Sequence, residues 1–271
     1  MVTDTHRHTR RCWWNHETGR WICHQSQGSA AGQDDAQADT AVVLDRDATP
    51  DTEAPLVDVR DMLVVHTALL REFRLAPDAV ARVAPGAARR AAAVDRHLGF
   101  LCDMLHHHHA GEDELLWPKL RDRVPPAALE LLDTVEAQHE RIDAVLSEVT
   151  AARARWVRDA SADPRGELMA ALQRLHEVLD EHLAAEERYV LPLAACHVTP
   201  AEWHALGDAG VAAMPKSVLP LAFGTFAYEG DPAVLRDMLK TAPALPRLIL
   251  PRIAPRIYAR RALQVHGTRR P

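Results

Sequence analysis

The sequence predicts an all-α protein: an antiparallel up-and-down four-helix bundle with short C-terminal helices packed on it. Four stretches repeat apolar residues at three- and four-residue steps, the spacing of amphipathic helices. Hydrophobic residues make up 47% of the chain and aromatic residues only 5%, with abundant alanine, which favours closely packed helices over a β-sandwich or barrel. The connections between the stretches are short, as in antiparallel bundles.

The helix limits follow from the apolar spacing and from proline. Asp163 is expected to cap the fourth helix, with Pro164 at its first position, and Pro118 is expected to kink the end of the second. Seven prolines between residues 215 and 255 predict that this part of the chain is broken into short pieces. Thr199 and Glu202 have the spacing of a capping box and predict the start of a short helix that runs to about 213. The other predicted helices are 57–75, a second carrying Leu98 to Leu115 and ending near Arg123, 127–158, a fourth after Pro164, 232–241 and 251–265.

Composition divides the chain into four segments. They are a Trp/Cys hairpin appendage (1–24), a flexible linker (25–54), the bundle (55–195) and a helical extension (196–271) packed on the bundle. In the hairpin, a turn at residues 17 and 18 would place Cys12 opposite Cys23 and Trp14 opposite Trp21. The two thiols could form a disulfide or bind zinc with His8, His16 or His24; a partly ordered appendage is the alternative.

The bulk properties argue against several classes of protein. A net charge of −6 and a pI near 6.2 disfavour nucleic acid as the main partner, and the basic residues near the C-terminus are interpreted as a solvated tail. No run approaches the ~18 apolar residues of a membrane helix, and the N-terminus lacks the apolar core of a secretory signal. Four cysteines do not make a disulfide framework in a chain of this length. A cytoplasmic location is therefore expected.

A His-x3-Glu motif occurs twice, as His108 with Glu112 and as His182 with Glu186. On a helix, residues four apart project from the same face. A lone histidine precedes each copy: His66 lies 42 residues before His108, and His139 lies 43 residues before His182. Two similar halves therefore supply four histidines and two glutamates from four helices.

These six residues occupy positions where the rest of each helix places Leu, Val or Ile. A buried carboxylate costs several kcal/mol unless it is paired or coordinated, and one or two dications would neutralise both glutamates and order the imidazoles. Imidazole and carboxylate ligands suit iron, manganese or zinc, but structural zinc needs only four. Glu112 and Glu186 can bridge two ions and leave open positions for O2, peroxide or nitric oxide. Two non-haem irons fit best, ahead of zinc or manganese.

The other histidines and acids receive lesser roles. Glu187 and Asp113, each next to a proposed ligand, are candidates for orienting the ligating imidazoles. His109 is expected to pair with Asp113, and His106 and His107 to be solvated or to support the ligands. The remaining helical histidines are interpreted as surface or linker residues: His97, His176, His197, His204 and His266.

The pattern over residues 56–195 resembles the hemerythrin-like HHE cation-binding domain, in which both motif copies continue to Leu-Trp-Pro118 or Leu-Pro192. The resemblance implies a non-haem di-iron centre with carboxylate and oxo or hydroxo bridges. Hemerythrin-like proteins of the actinobacterial type also carry C-terminal extensions. The implied metal ligands are His66, His108, Glu112, His139, His182 and Glu186.

The chain departs from the oxygen-carrying hemerythrins at two positions. Those proteins have a second histidine four residues after the one at His139, where this chain has Asp143, and an Asp five residues after the one at His182, where this chain has Glu186 at four. The resemblance therefore implies that no iron has an all-histidine face. Asp143 either ligates as a carboxylate or is solvated.

Three functions remain open. The first is a di-iron protein that handles oxidants, by catalase-like peroxide decomposition or by binding O2 or nitric oxide. The second is an iron or oxygen sensor that presents a protein-binding surface on its C-terminal extension. The third is a bundle in which zinc is a structural brace. Neither a Ser/His/Asp or Cys/His nucleophile arrangement nor a glycine-rich phosphate loop is evident, so the sequence does not imply a named enzyme.

Overall fold

The computed structural model describes residues 12–15, 20–23, 55–159 and 162–271. The chain divides into two units, Met1–Pro55 and Leu56–Pro271. The strands are β1 (Cys12–Asn15) and β2 (Arg20–Cys23). The helices are α1 (Arg60–Ala81), α2 (Ala88–Leu115), α3 (Trp117–Arg123), α4 (Leu129–Asp159), α5 (Ala162–Ala185), α6 (Leu191–His197), α7 (Pro200–Ala213), α8 (Leu219–Phe226), α9 (Pro232–Met238) and α10 (Ala244–His266).

Helices α1, α2, α4 and α5 form the predicted four-helix bundle. In it α1 packs against α2 and α5, and α4 packs against the same two helices. Leucine, alanine and valine from all four helices fill the core, together with the fully buried Phe73 and Trp156. A second core, built around Trp117 and Leu132, lies where α3 and α6 pack together. The fold class expected from the sequence is therefore confirmed.

Proline is tolerated in the first turn of a helix, which explains the observed helix limits at Pro164 and Pro118. The fourth helix, α5, begins at Ala162, so Asp163 lies inside it and is not its cap. Pro164 is its third residue, where a backbone N–H would have no helical acceptor. The interruption expected near Pro118 is present: α2 ends at Leu115, and α3 begins at Trp117 with the proline in its first turn.

The C-terminal extension is less fragmented than its prolines predict. Helix α10 runs for 23 residues through Pro251 and Pro255, and both prolines are exposed. They lie four residues apart on one face, so the carbonyl groups that lose a helical donor face water. Gly267, with φ of 75°, ends the helix in the left-handed conformation. Helix α8 had no counterpart in the prediction.

The extension packs on the bundle and belongs to the same unit, Leu56–Pro271, as expected. Helix α7 lies against α2, α9 against α1, and α10 against α1, α2 and α8. Thr199 begins α7 with a reciprocal capping box, in which Glu202 returns to the Thr199 backbone N–H, as the sequence predicts. None of the described helices has the length and apolarity required of a membrane span.

The N-terminal unit contains the predicted hairpin register. Strand β1 pairs antiparallel with β2, with Cys12 opposite Cys23 and Trp14 opposite Trp21. The proposed disulfide or zinc site on these thiols stays a prediction. The linker predicted at 25–54 lies outside the described residues.

Candidate metal centre

All six residues predicted as ligands meet in the interior of the bundle. His66 comes from α1, His108 and Glu112 from α2, His139 from α4, and His182 from α5. Glu186 opens a single π-helical turn, Glu186–Val190, that follows α5. Both glutamate side chains and the side chains of His66 and His182 are fully buried.

Each glutamate faces one histidine from each half of the sequence. Oxygens of Glu112 lie 3.3 Å from Nε2 of His108 and 3.7 Å from Nε2 of His139. One oxygen of Glu186 lies 3.6 Å from Nε2 of His182 and 3.4 Å from Nε2 of His66. The doubled motif therefore builds one shared centre in which the two halves cross.

A second layer of acceptors holds the outer ring nitrogens. Asp113 Oδ1 lies 2.7 Å from Nδ1 of His139, and Glu187 Oε1 lies 3.1 Å from Nδ1 of His66. Both acids therefore lie where the predicted role requires them, each against an imidazole of the centre. An Nδ1–H donated outward leaves the lone pair of Nε2 directed into the centre. The side-chain oxygen of Gln138, a residue that no sequence pattern singles out, lies 3.1 Å from Nδ1 of His182.

The π-helical turn sets the positions of the second glutamate and its neighbour. Glu186 and Glu187 contact the two different nitrogens of the His66 ring. The wider turn also shifts the buried face by one residue, since Val190 is buried and Tyr189 is only half-buried, although regular α-helical spacing from Glu186 would place Tyr189 on the core face. Single π-helical turns are frequent at functional sites.

His109 is the ligand candidate that the sequence reasoning missed. Its ring stacks on His139 with centroids 4.3 Å apart and meets His182 edge-on at 5.0 Å. The predicted pairing with Asp113 is wrong, because that carboxylate is engaged by His139. The run of four histidines, 106–109, was the available signal. At the matching position of the second motif copy stands Leu183, which is buried.

The candidate ligands form two overlapping clusters, within each of which the ligand atoms lie no more than 4.8 Å apart. One cluster brings three imidazoles together, which the expected absence of an all-histidine face does not anticipate; which of them ligate an ion stays a prediction. Asp143 is exposed on α4 and belongs to neither cluster among the described residues, which fits the solvated alternative. The clusters are His109, Glu112, His139 and His182, and His66, His108, Glu112 and Glu186.

The donor atoms of the centre fit a cation. In the described part of the chain, both oxygens of Glu112 and of Glu186 lack a hydrogen-bond partner, as do both nitrogens of His109. The Nε2 atoms of His66 and His108 lack one as well. An unsatisfied buried polar group costs about 1–3 kcal/mol, so such a concentration is unfavourable without a common partner. A cation satisfies these atoms together.

The electrostatics of the centre keep three of its imidazoles neutral. Burial, followed by the positive charges of neighbouring histidines, lowers the pKa of His108 and of His109 well below the usual value. The same causes lower the pKa of His182 to about 2. Burial and the nearby Glu186 raise the pKa of Glu112 well above the usual range. Neutral imidazoles are ready to ligate, whereas the carboxyls must release protons when a cation binds.

A family model named Hemerythrin HHE cation binding domain matches residues 57–194. The chain belongs to the hemerythrin HHE cation-binding family. Comparison with curated proteins found no match, and comparison with solved structures found none either. The hemerythrin domain binds metal cations, and the two His/Glu clusters lie within its matched residues. Helices α7 to α10 follow the matched part of the chain.

A second buried cluster joins this domain to the extension. His97 and His266, interpreted from the sequence as surface residues, are only 2% and 4% exposed. His97 Nε2 lies 2.9 Å from Oε2 of Glu72, and His266 Nε2 lies 3.9 Å from the same oxygen. Tyr258 of α10 donates to Oε1 of Glu72 at 2.6 Å, and Arg71 donates to it at 2.8 Å. Since both carboxylate oxygens of Glu72 have donors, the cluster is a buried hydrogen-bond network that joins α10 to the bundle.

Surface or linker positions are also predicted for three more histidines. Of these, His204 is exposed, as expected, and His176 and His197 are half-buried. His106 is exposed and His107 is half-buried beside the centre. The exposed position of His106 fits the solvated alternative predicted for that pair.

Proposed function

We propose that the protein holds two non-haem iron ions in this centre and handles a small oxidant there, namely O2, peroxide or nitric oxide. The observation that carries the proposal is the pair of clusters sharing Glu112. The carboxylate oxygens of Glu112 and Glu186 and both ring nitrogens of His109 have no hydrogen-bond partner among the described residues. Five imidazoles and two carboxylates exceed the four ligands of a structural zinc site and suit iron. Two iron ions supply redox chemistry with a small oxygen or nitrogen ligand.

The side chains around the centre position the ligands and exclude water. Asp113 and Glu187 fix the Nδ1 protons of His139 and His66, so each ring presents a lone pair inward. The buried indole of Trp117 meets the His139 ring edge-on at 5.7 Å. The second core thereby closes this end of the centre with apolar side chains.

Elemental analysis together with an absorption spectrum, on protein made without a His tag, tests the proposal. We expect about two irons per chain and near-ultraviolet bands of an oxo-bridged pair. His108→Ala and Glu186→Ala should remove both, since each deletes a donor atom of the centre. His106→Ala is the matched control, because His106 is exposed on the same helix two residues from His108.

Two results would overturn the proposal. One is about one zinc per chain with a featureless spectrum, from cells grown with adequate iron, which would make the metal a structural brace. The other is an iron-loaded protein that neither consumes peroxide nor changes its spectrum with O2 or nitric oxide.

A second function, iron or oxygen sensing, is favoured by the contact of α7 with α2, the helix that carries His108 and Glu112. Metal loading would then alter how the extension packs and which surface it offers to a protein partner. Hydrogen exchange with and without a chelator tests this. Faster exchange in residues 200–271 after iron removal supports sensing, whereas exchange that changes only within α1, α2, α4 and α5 contradicts it.

A further inference from the structure

A pocket of about 150 Å³ lies beside the metal centre, between the bundle and the extension. Helices α1 and α2 form one wall, which includes Val65, Met104 and His108. Helix α7 forms the facing wall with Leu206 and its neighbours. His108, a proposed ligand, thus borders both the centre and the pocket.

We propose that this pocket binds a small uncharged organic molecule of about the size of benzene. Binding rests on the side chains of the pocket alone, so the proposal goes beyond the di-iron function and holds for any metal in the centre. A molecule bound there would lie next to His108, on the side from which small ligands would approach the metal ions.

The size of the pocket carries the first argument. An apolar cavity of about 150 Å³ accommodates benzene, whereas a water molecule occupies only about 30 Å³ of liquid volume. A diatomic ligand would leave most of the space beside His108 unfilled. The volume therefore fits a compact molecule of roughly six to eight heavy atoms.

The chemistry of the lining excludes a charged ligand. Among the described residues that line the pocket, none is a lysine or arginine, and Asp61 is the only acid. Its carboxylate already accepts from the Trp203 indole at 3.0 Å and from the Met62 backbone at 3.0 Å. An ion in this lining would lose its hydration without gaining a partner. A neutral, largely apolar molecule would keep its polar edge at His107 and His108.

Glycine in α7 carries a third, independent argument. A Cβ at Gly207 or Gly210 would meet no described atom within 4 Å, and neither residue has a positive φ. Gly in a helix interior is less favourable than Ala by about 1 kcal/mol, and no close contact or backbone strain requires it at either position. Across the pocket, a Cβ at Gly111 would lie 3.3 Å from Leu206, so that glycine lets α7 approach α2.

More than half of the lining lies outside the matched domain. Residues from Trp203 onward, including Met214, Phe226 and Met238, come after residue 194, where the family match ends. The pocket is therefore a feature that the extension adds to the hemerythrin domain.

Toluene is the probe, measured by saturation-transfer NMR on the full-length, metal-loaded chain. We expect saturable binding, and no binding of glycerol, which has a similar size but is polar. Gly210→Leu and Gly207→Leu should each raise the Kd for toluene about tenfold or more, because their side chains would fill the space. Gly166→Leu is the matched control, since Gly166 is also helical and unhindered but does not line the pocket; it should change the Kd less than about twofold.

The proposal is overturned if toluene shows no saturable transfer, or if the α7 variants bind it as tightly as the unsubstituted chain. Thermal unfolding of each variant shows that folding is retained, and replacing a helical glycine should not lower the midpoint. Iron content is measured on the same samples. Toluene binding without iron contradicts the di-iron function alone, and two irons without toluene binding contradict the pocket alone.

Discussion

The carboxylate of Asp113 lies 2.7 Å from Nδ1 of His139, although the first belongs to one motif copy and the second precedes the other. The mirror-image contact joins Glu187 of the second copy to His66. Each half of the bundle thus orients the lone histidine of the other half. Because an oriented imidazole is a better ligand, the two halves depend on each other for metal affinity.

Asp113→Ala is expected to lower iron affinity about 10–100-fold, the usual effect of removing a carboxylate that holds a ligating imidazole. Competition with a chromophoric chelator measures the affinity. Glu114→Ala is the matched control, because Glu114 is the next residue on α2 and is exposed. Equal affinities of the two variants would show that the contact has no role in binding.

His109→Leu, which copies Leu183 of the second half, is expected to have opposite effects on the two states of the protein. The metal-free form should gain about 1 kcal/mol or more of unfolding free energy, since an unsatisfied buried imidazole is removed. The loaded form should lose one ligand, and with it metal content and the spectrum. Urea unfolding with and without iron measures both, and His106→Leu, at an exposed position, should change neither.

The metal-free protein is expected to become less stable as pH rises above about 6.5, the usual pKa of histidine. Burial and the charges of Glu186 and Asp113 raise the pKa of Glu112 well above 4.5. The folded chain then keeps a proton that the unfolded chain has released, so unfolding free energy falls toward that raised pKa. The lowered pKa of His108 has the opposite effect, because it makes the protein more stable as pH rises toward 6.5. Above pH 6.5 that stabilisation is complete and no longer changes with pH.

Thermal unfolding of metal-free protein across this range measures the slope, which Glu112→Gln should reduce. Part of the decrease in stability with rising pH should remain in this variant. The charges of Glu186 and Glu187 outweigh the effect of burial on His66 and raise its pKa. Iron-loaded protein should show the reverse trend, since higher pH frees the carboxylates to ligate. A metal-free midpoint that stays constant or rises above pH 6.5 contradicts the prediction.

Tyr258→Phe is expected to destabilise the protein by about 1.5–3 kcal/mol, because its hydroxyl donates to the buried carboxylate of Glu72. Glu72→Gln should cost at least as much, since Arg71 then keeps only the more exposed Glu229 as an ionic partner. Urea unfolding gives both values. Tyr228→Phe is the control, because that hydroxyl bonds only a terminal backbone carbonyl among the contacts described for it. Iron content should stay unchanged in all three variants.

Apolar periodicity was enough to predict the bundle and to bring His66, His108 and the other four ligand candidates together. Apolar periodicity shows which residues share the buried face of a helix. The six ligand candidates stand on such faces at positions where the rest of the helix has aliphatic residues. The same reasoning found the capping box of α7, because that signal is local in sequence. Both predictions depend on regular α-helical geometry.

The features that were missed are those in which the geometry departs from a regular helix or in which distant segments meet. His109 lies one position off the motif face, and its role depends on the contact between α2 and the helices that carry His139 and His182. The π-helical turn at Glu186 changes the register without a sequence signal. The burial of His97 depends on α10, whose predicted length is too short because the prediction ends a helix at each proline.

Helix α7, which forms one wall of the pocket, is synthesised after the residues of the metal centre. The last proposed ligand, Glu186, is synthesised 20 residues before Leu206, the α7 side chain that lies against Gly111. At 5–20 residues per second, translation takes about one to four seconds to cover that distance. The full ligand set therefore exists before the wall beside His108 does, and a cation can reach the nascent bundle without passing through the pocket that later covers it.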